Sequence, residues 1–207
     1  AVSCFKGDDN AEKDNESAAM WESLGVSKER IVFLGREDNW WGPAGETGPC
    51  GPCTEMFYFT GEKNHGKFNP DDKRWVEIWN DVFMQYNKTK EGKYEELKQK
   101  NVDTGMGVER TLAVLNSLND NYLTSGLKKI VEKIEEISGK DYLGREREMR
   151  IIADHVRAAV FILGDARGVK PGNIGQGYIL RRLIRRAVRY GRILRIMDEF
   201  LGELAKE

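Results

Sequence analysis

Hydrophobic positions change period partway along the chain. Up to about residue 106 they come in short β-branched or aromatic runs, and beyond it they recur at helical spacing. Residues 1–6 read as a strand and Gly7-Asp8-Asp9-Asn10 as a turn. An acidic stretch over 11–16 leads into a helix over about 16–25, and Ile31-Val32-Phe33-Leu34-Gly35 is a short apolar strand. Residues 36–53 are crowded with Gly42, Pro43, Gly45, Gly48, Pro49, Gly51 and Pro52, so they read as an ordered loop or as no structure at all; Trp40 and Trp41 argue for order. Thr54 to Thr60 alternates and reads as a strand, with Glu55 and Tyr58 as site-facing candidates. Residues 61–73 form a polar loop, which includes Lys63 and His65. Trp75 to Asn87 is a strand by composition. Strict alternation puts Glu77, Trp79, Asp81 and Phe83 on one of its faces and Val76, Ile78, Asn80, Val82 and Met84 on the other. A turn at 88–92 returns the chain through a strand over 94–100.

Helices follow over about 107–118, 126–138, 146–164 and 177–196, with loops at 139–144 and 165–176. Hairpin-linked strands followed by helices make an α+β layout with an antiparallel sheet, then an all-α part. The division falls near 119–126, and we draw the domains as 1–120 and 121–207.

Composition narrows the class. The 207 residues carry 33 Lys/Arg against 34 Asp/Glu, so overall charge steers no partner. Charge is uneven, however. Between Arg167 and Met197 lie Arg167, Lys170, Arg181, Arg182, Arg185, Arg186, Arg189, Arg192 and Arg195 with no acid among them, which points that end toward a polyanion. Three cysteines make no disulfide framework and suit a reducing cytosol, so a cytoplasmic location is expected. No apolar run reaches transmembrane length. The opening Ala1-Val2-Ser3-Cys4-Phe5 reads as mid-strand, and we expect a piece of a longer protein.

The most informative stretch is Asn101-Val102-Asp103-Thr104-Gly105-Met106-Gly107-Val108-Glu109-Arg110. A polar strand runs into two glycines and then a helix, whose first N–H groups lack intrahelical partners. Glycines admit a ligand to the backbone, and Arg110 adds a fixed planar charge beside an electropositive helix start. That corner can hold a phosphate, with Asp103 placed for a cationic group such as an amine; a plain strand-to-helix turn has the same spacing. Cys50-Gly51-Pro52-Cys53 has redox or zinc spacing, with Cys4 as a third sulfur, or is a tight packed turn. Asn39-Trp40-Trp41 stacks on a flat substrate, caps a small pocket, or is buried structure. Glu77 and Asn80 sit in an apolar strand and need partners, either a ligand or metal, or the chain's own cations. In the helix over 177–196, Leu180, Leu183, Ile184, Ala187 and Val188 form the core stripe. The arginines around it face nucleic-acid phosphate, or are solvated or paired within the protein; an anionic membrane surface is a further alternative, against which the stripe is small and lacks a Trp or Phe.

Taken in order, Asp38-Asn39-Trp40-Trp41-Gly42, Thr47 to Glu55, Ile78-Trp79-Asn80 with Val82 to Asn87, Val102 to Arg110, Ile152 to Ala158 and Gly177 to Ala187 resemble the alanyl-tRNA synthetase family. The resemblance spans nearly the whole chain. It implies a class II synthetase fold, followed by the start of a helical tRNA-recognition domain. It also implies a reaction in which ATP and Mg²⁺ activate alanine to an adenylate, and alanyl then passes to tRNA. On this resemblance Trp41, Asn80, Asp103 and Gly105 bind alanine. Gly107 and Arg110 bind ATP, and Glu77 meets ATP or Mg²⁺. Asn173, Arg181, Arg182, Arg185, Arg186 and Arg189 meet tRNA. No resident metal site and no nucleophilic side chain are implied, since the chemistry is positioning and charge neutralisation.

The chain also departs from the family. The first two class II motifs are not in it, so the piece alone is expected to be monomeric and nearly inactive without the upstream part. Trp40 stands where many relatives have Phe. Thr60 and Lys63 stand where some relatives carry histidines after the CxxC, against a zinc site. The alternatives are a non-catalytic RNA-binding module that keeps the fold, and a zinc or redox protein built on Cys50 and Cys53.

Overall fold

In a computed structural model, which describes residues 1–62 and 67–207, the chain divides into two compact units, Ala1–Ser117 and Leu118–Glu207. The first is a mixed sheet with helices, and the second is helical.

In the first unit β1 (Val2–Phe5) is buried along its whole length, as its apolar sequence requires. It pairs in parallel with β2 (Ile31–Leu34) through α1 (Asn15–Ser23), whose N-cap Asp14 accepts from Ser17 N at 2.9 Å. A short helix α2 (Arg36–Asn39) and the two-residue β3 (Trp40–Trp41) then lead to three long strands: β4 (Gly48–Phe59), β5 (Trp75–Lys88) and β6 (Tyr94–Met106). The sheet order is β2-β1-β4-β5-β6, with β3 paired to β4, and every pairing except β1–β2 is antiparallel. Helix α3 (Val108–Leu115) leaves β6 through Gly107. The α+β layout with its antiparallel sheet is what the period change predicts.

Two local expectations are corrected. First, Gly48 to Cys53 is strand rather than loop. Gly51 makes this possible: a Cβ there would sit 1.8 Å from the Phe83 carbonyl oxygen, so only glycine lets β4 and β5 approach this closely. Second, β5 does not alternate strictly. Met56 pairs with Trp79 but Phe57 pairs with Glu77, so Ile78 is an extra residue in β5. Glu55 and Phe57 share a face of β4, and their partners Asn80 and Glu77 therefore share one too. The bulge brings Glu77 to the Asn80 side.

In the second unit α4 (Lys128–Ser138), α5 (Glu146–Gly164), α6 (Gly175–Ile193) and α7 (Leu201–Leu204) surround one core. Ile130, Val131 and Ile134 meet Met149, Ile152, Ala153 and Val156, with Ala187, Leu194, Phe200 and Leu204 closing the cluster. Gly139, at φ +62°, ends α4 in the left-handed conformation that glycine adopts freely. Val188, expected in the stripe of α6, is 36% exposed. The buried positions there are Leu180, Ala187 and Gly191, the last lying beneath the Phe200 ring.

Asp120 ties this unit's start together. Its carboxylate accepts from Tyr142 Oη at 2.5 Å, Arg150 Nη2 at 2.6 Å and Tyr122 N at 2.9 Å.

Candidate functional site

The register of three antiparallel strands builds the floor of the site. Asn80 on β5 lies opposite Glu55 on β4 and Gly105 on β6. One step along, Val82 lies opposite Cys53 and Asp103. Cross-strand partners point to the same face. Cys53, Glu55, Asn80, Val82, Asp103 and Gly105 therefore share one face, and Glu77 joins them through the bulge at Ile78.

At the end of β6, Gly107 is the N-cap of α3. Arg110 reaches back over β5, where its Nη1 donates to Glu77 Oε2 at 3.0 Å and to the Glu77 carbonyl oxygen at 2.9 Å. Arg110 and Glu77 remain 45% and 36% exposed, so this pair is available to a ligand and contributes little to stability. Asp103 is exposed, and its Oδ1 accepts from Thr104 N at 2.9 Å. A Cβ on Gly105 would meet nothing within 4 Å, so the floor opens onto free space there.

Next to Cys53 and Glu55 lies a buried polar group. Asn39 and Ser3 are fully buried, and Asn39 Nδ2 donates to Ser3 Oγ at 2.9 Å and to the Cys53 carbonyl at 3.1 Å. Thr54 Oγ1 donates to the Ser3 carbonyl at 2.6 Å and accepts from Trp21 Nε1 at 2.8 Å. Burial, reinforced by the Glu77 and Asp38 charges, pushes the Glu55 carboxyl up to about 7, against the pull of Ser3 and Arg110.

The expected site residues are thus partly gathered. Glu77 and Arg110 are bonded, Asn80 and Gly105 are cross-strand neighbours, Asp103 is one row away, and Gly107 starts the helix. Trp41 lies opposite Gly51, two residues along β4 from Cys53, and is 38% exposed. Trp40 is structural: it packs on Phe5, Tyr86 and Tyr94, and the Arg36 guanidinium lies 3.8 Å over its ring.

The three cysteines are buried and free. Burial pushes the Cys53 thiol up to about 12 and the Cys4 thiol to about 11, the opposite of a reactive thiolate. Among the described residues no group of three His, Cys, Asp or Glu could hold a metal ion; Lys63 and His65 lie outside the described residues.

In the second unit, Arg182, Arg185, Arg186 and Arg189 are exposed along α6. Arg181 is half-buried and donates to Asn173 Oδ1, which joins two expected site residues directly. Among the described residues no helix is long and apolar enough to cross a membrane.

Reading residues one at a time missed Ser3 as a site support, and named Asn39 only as part of the Asn39-Trp40-Trp41 cluster. The signal for Ser3 was present: it is a polar residue inside an otherwise apolar strand.

An open, mostly antiparallel sheet whose last strand turns through paired glycines into a helix is the core of a class II aminoacyl-tRNA synthetase. The model of the tRNA synthetases class II (A) matches residues 2–207, and the chain belongs to this family, the alanyl branch of the class. It is 56% identical over 204 residues to the alanine–tRNA ligase of Treponema denticola, which covers 96% of this chain and 34% of that protein. It is 51% identical over 209 residues to the alanine–tRNA ligase of Borrelia hermsii, with 98% and 35% covered. Against that of Prochlorococcus marinus the figures are 46% over 200 residues, 93% and 22%. The chain spans about a third or less of the length of these curated relatives.

Proposed function

We propose that this chain is part of an alanine–tRNA ligase, working in the cytoplasm. Residues 1–120 form the C-terminal part of its catalytic domain, and 121–207 begin its tRNA-recognition domain. One observation carries the reading: a single sheet face carries Asp103, Gly105 and Asn80, and Glu77, brought to that face by the bulge, bonds the Arg110 guanidinium.

In this reading Asp103 accepts the alanine ammonium, and Gly105 leaves room for a methyl-sized substrate. Asn80 lines the pocket floor and Trp41 its rim. ATP enters as its Mg²⁺ complex, so the metal arrives with the phosphates and needs no protein-only cage. Arg110, now held by Glu77, turns part of its fork to the nucleotide, and the α3 N-terminus at Gly107 favours the same charge. The alanine carboxylate attacks the α-phosphate, pyrophosphate leaves, and the tRNA 3′ end then takes the alanyl group. No protein nucleophile takes part; the chain supplies orientation and charge.

Strand β6 is a sheet edge with exposed residues, and Val108, Leu112 and Leu115 of α3 are exposed beside it. In the complete ligase further catalytic-domain chain covers this side, and without it the piece is nearly inactive. Asn173, Arg181, Arg182, Arg185, Arg186 and Arg189 meet phosphates of the alanine-specific tRNA.

The test is Asp103→Ala in the complete ligase, read by alanine-dependent ATP–pyrophosphate exchange. Losing a charge-assisted bond of about 2 kcal/mol should raise the alanine requirement roughly thirtyfold, with the ATP requirement little changed. An unchanged alanine requirement removes Asp103 from the pocket.

A further inference from the structure

One row of residues crosses four strands beneath the site: Ser3 on β1, Glu55 on β4, Asn80 on β5 and Gly105 on β6. Neighbours in such a row carry Cβ atoms about 5 Å apart, within reach of one another's side chains. On one flank of Glu55 the carboxyl takes a hydrogen bond from Ser3, whose hydroxyl oxygen is itself fixed by Asn39 Nδ2 at 2.9 Å. On the other flank stands Asn80. Its amide bonds the Cys53 thiol, while its Oδ1 is buried and has no hydrogen-bond partner.

A buried carbonyl oxygen without a donor is costly, and on the nitrogen side the amide is held only by a thiol, a weak acceptor. Gly105, the other neighbour of Asn80 in the row, has no side chain to offer. A carboxyl donates only when it carries a proton.

We propose that Glu55 is a positioning residue of the alanine subsite: its protonated carboxyl donates to Asn80 Oδ1 and, with Cys53 on the nitrogen side, fixes the Asn80 amide in the subsite floor. The inference rests on the reading that Asn80 lines that subsite. The surroundings favour the acid form. Burial is the main cause, and the charges facing Glu55 are Glu77 from β5 and Asp38 from α2, which favour the proton, and Arg110 from α3, which opposes it. Cys53 on its own strand is held neutral by burial and adds no charge. Glutamine is the permanent neutral donor of the same shape.

The experiment compares Glu55→Gln, Glu55→Ala and Asn80→Ala in the complete ligase by alanine-dependent pyrophosphate exchange, from about pH 6 to 9. Glu55→Ala should raise the alanine KM about tenfold at neutral pH while kcat changes less than about threefold, the loss of one hydrogen bond to a buried acceptor. Glu55→Gln should keep the alanine KM within about twofold of wild type and abolish the rise that wild type shows above neutral pH as Glu55 ionises. Glutamine as damaging as alanine overturns the proposal, as does a pH profile shared by wild type and Glu55→Gln. Should Glu55→Ala fail to fold, those two profiles still decide. An alanine KM raised by Asn80→Ala but by neither Glu55 variant overturns this inference alone. An alanine KM indifferent to Asn80→Ala removes the subsite reading and this inference with it.

Discussion

Gly51→Ala is the sharpest stability test of the first unit. The added Cβ would lie 1.8 Å from the Phe83 carbonyl oxygen, 2.9 Å from its carbon and 3.1 Å from Gln85 N. A carbon settles against a carbonyl oxygen at about 3.3 Å, so β4 and β5 would have to part by roughly 1.5 Å. All three neighbours are backbone, so no side chain can swing away. The gap would open between Cys50 and Cys53, which are buried, and beneath β3. Losing a pair of ladder hydrogen bonds at about 1 kcal/mol each, plus disturbed packing, gives about 3 kcal/mol. That is a large fraction of a typical domain's stability of about 5–15 kcal/mol. Elsewhere in a strand the same exchange is neutral or stabilising, so the sign itself is diagnostic. Tryptophan fluorescence in a urea titration reads the effect selectively, because Trp21, Trp40, Trp41, Trp75 and Trp79 all lie in the first unit. Gly105→Ala is the control: its Cβ meets nothing within 4 Å, so stability should hold while the alanine requirement rises. A Gly51→Ala midpoint within about 0.5 kcal/mol of wild type would refute the close strand approach.

Two further predictions concern the helical unit. Arg185→Ala with Arg186→Ala should weaken tRNA binding and flatten its salt dependence by about one to two charges, while sparing adenylate formation; equal loss in both steps would make these arginines structural. Asp120 is set by opposing causes. Burial raises its pKa, but hydrogen bonds from Tyr142, Tyr122 N–H and Arg150 outweigh it and leave the pKa lowered. A lowered folded value means stability that is present above the unfolded pKa of about 4 and lost as pH falls through the folded one. Far-ultraviolet dichroism should therefore show Asp120→Asn less stable by about 1–2 kcal/mol near neutrality, with the gap to wild type closing in acid; a constant gap would count against the linkage.

The sequence carried the element types well where a period was long. Helices α5 and α6 were legible because apolar residues recur over five turns, and β5 because aromatic and β-branched residues fill it. The candidate site was legible in part for a different reason: Asp103, the two glycines and Arg110 are adjacent in sequence, so their shared corner needs no long-range contact. Gly48 to Cys53 was illegible as strand, since glycine and proline are poor strand formers taken singly, and only the close approach of β5 explains why Gly51 belongs there.

What this sequence determined by itself is local: the change from period two to period 3.6, the strand-to-helix corner at Gly105 and Gly107, the acid-free basic face of α6, and the six ordered stretches that carry the resemblance to the family. Tertiary structure alone decided which side chains share a face. One extra residue at Ile78 carries Glu77 across β5 to meet Arg110, and the pairing of four strands sets Ser3, Glu55, Asn80 and Gly105 in a line. A strand's own alternation says nothing about where its register slips, because a bulge is stabilised by the strands on either side of it rather than by the residue that forms it.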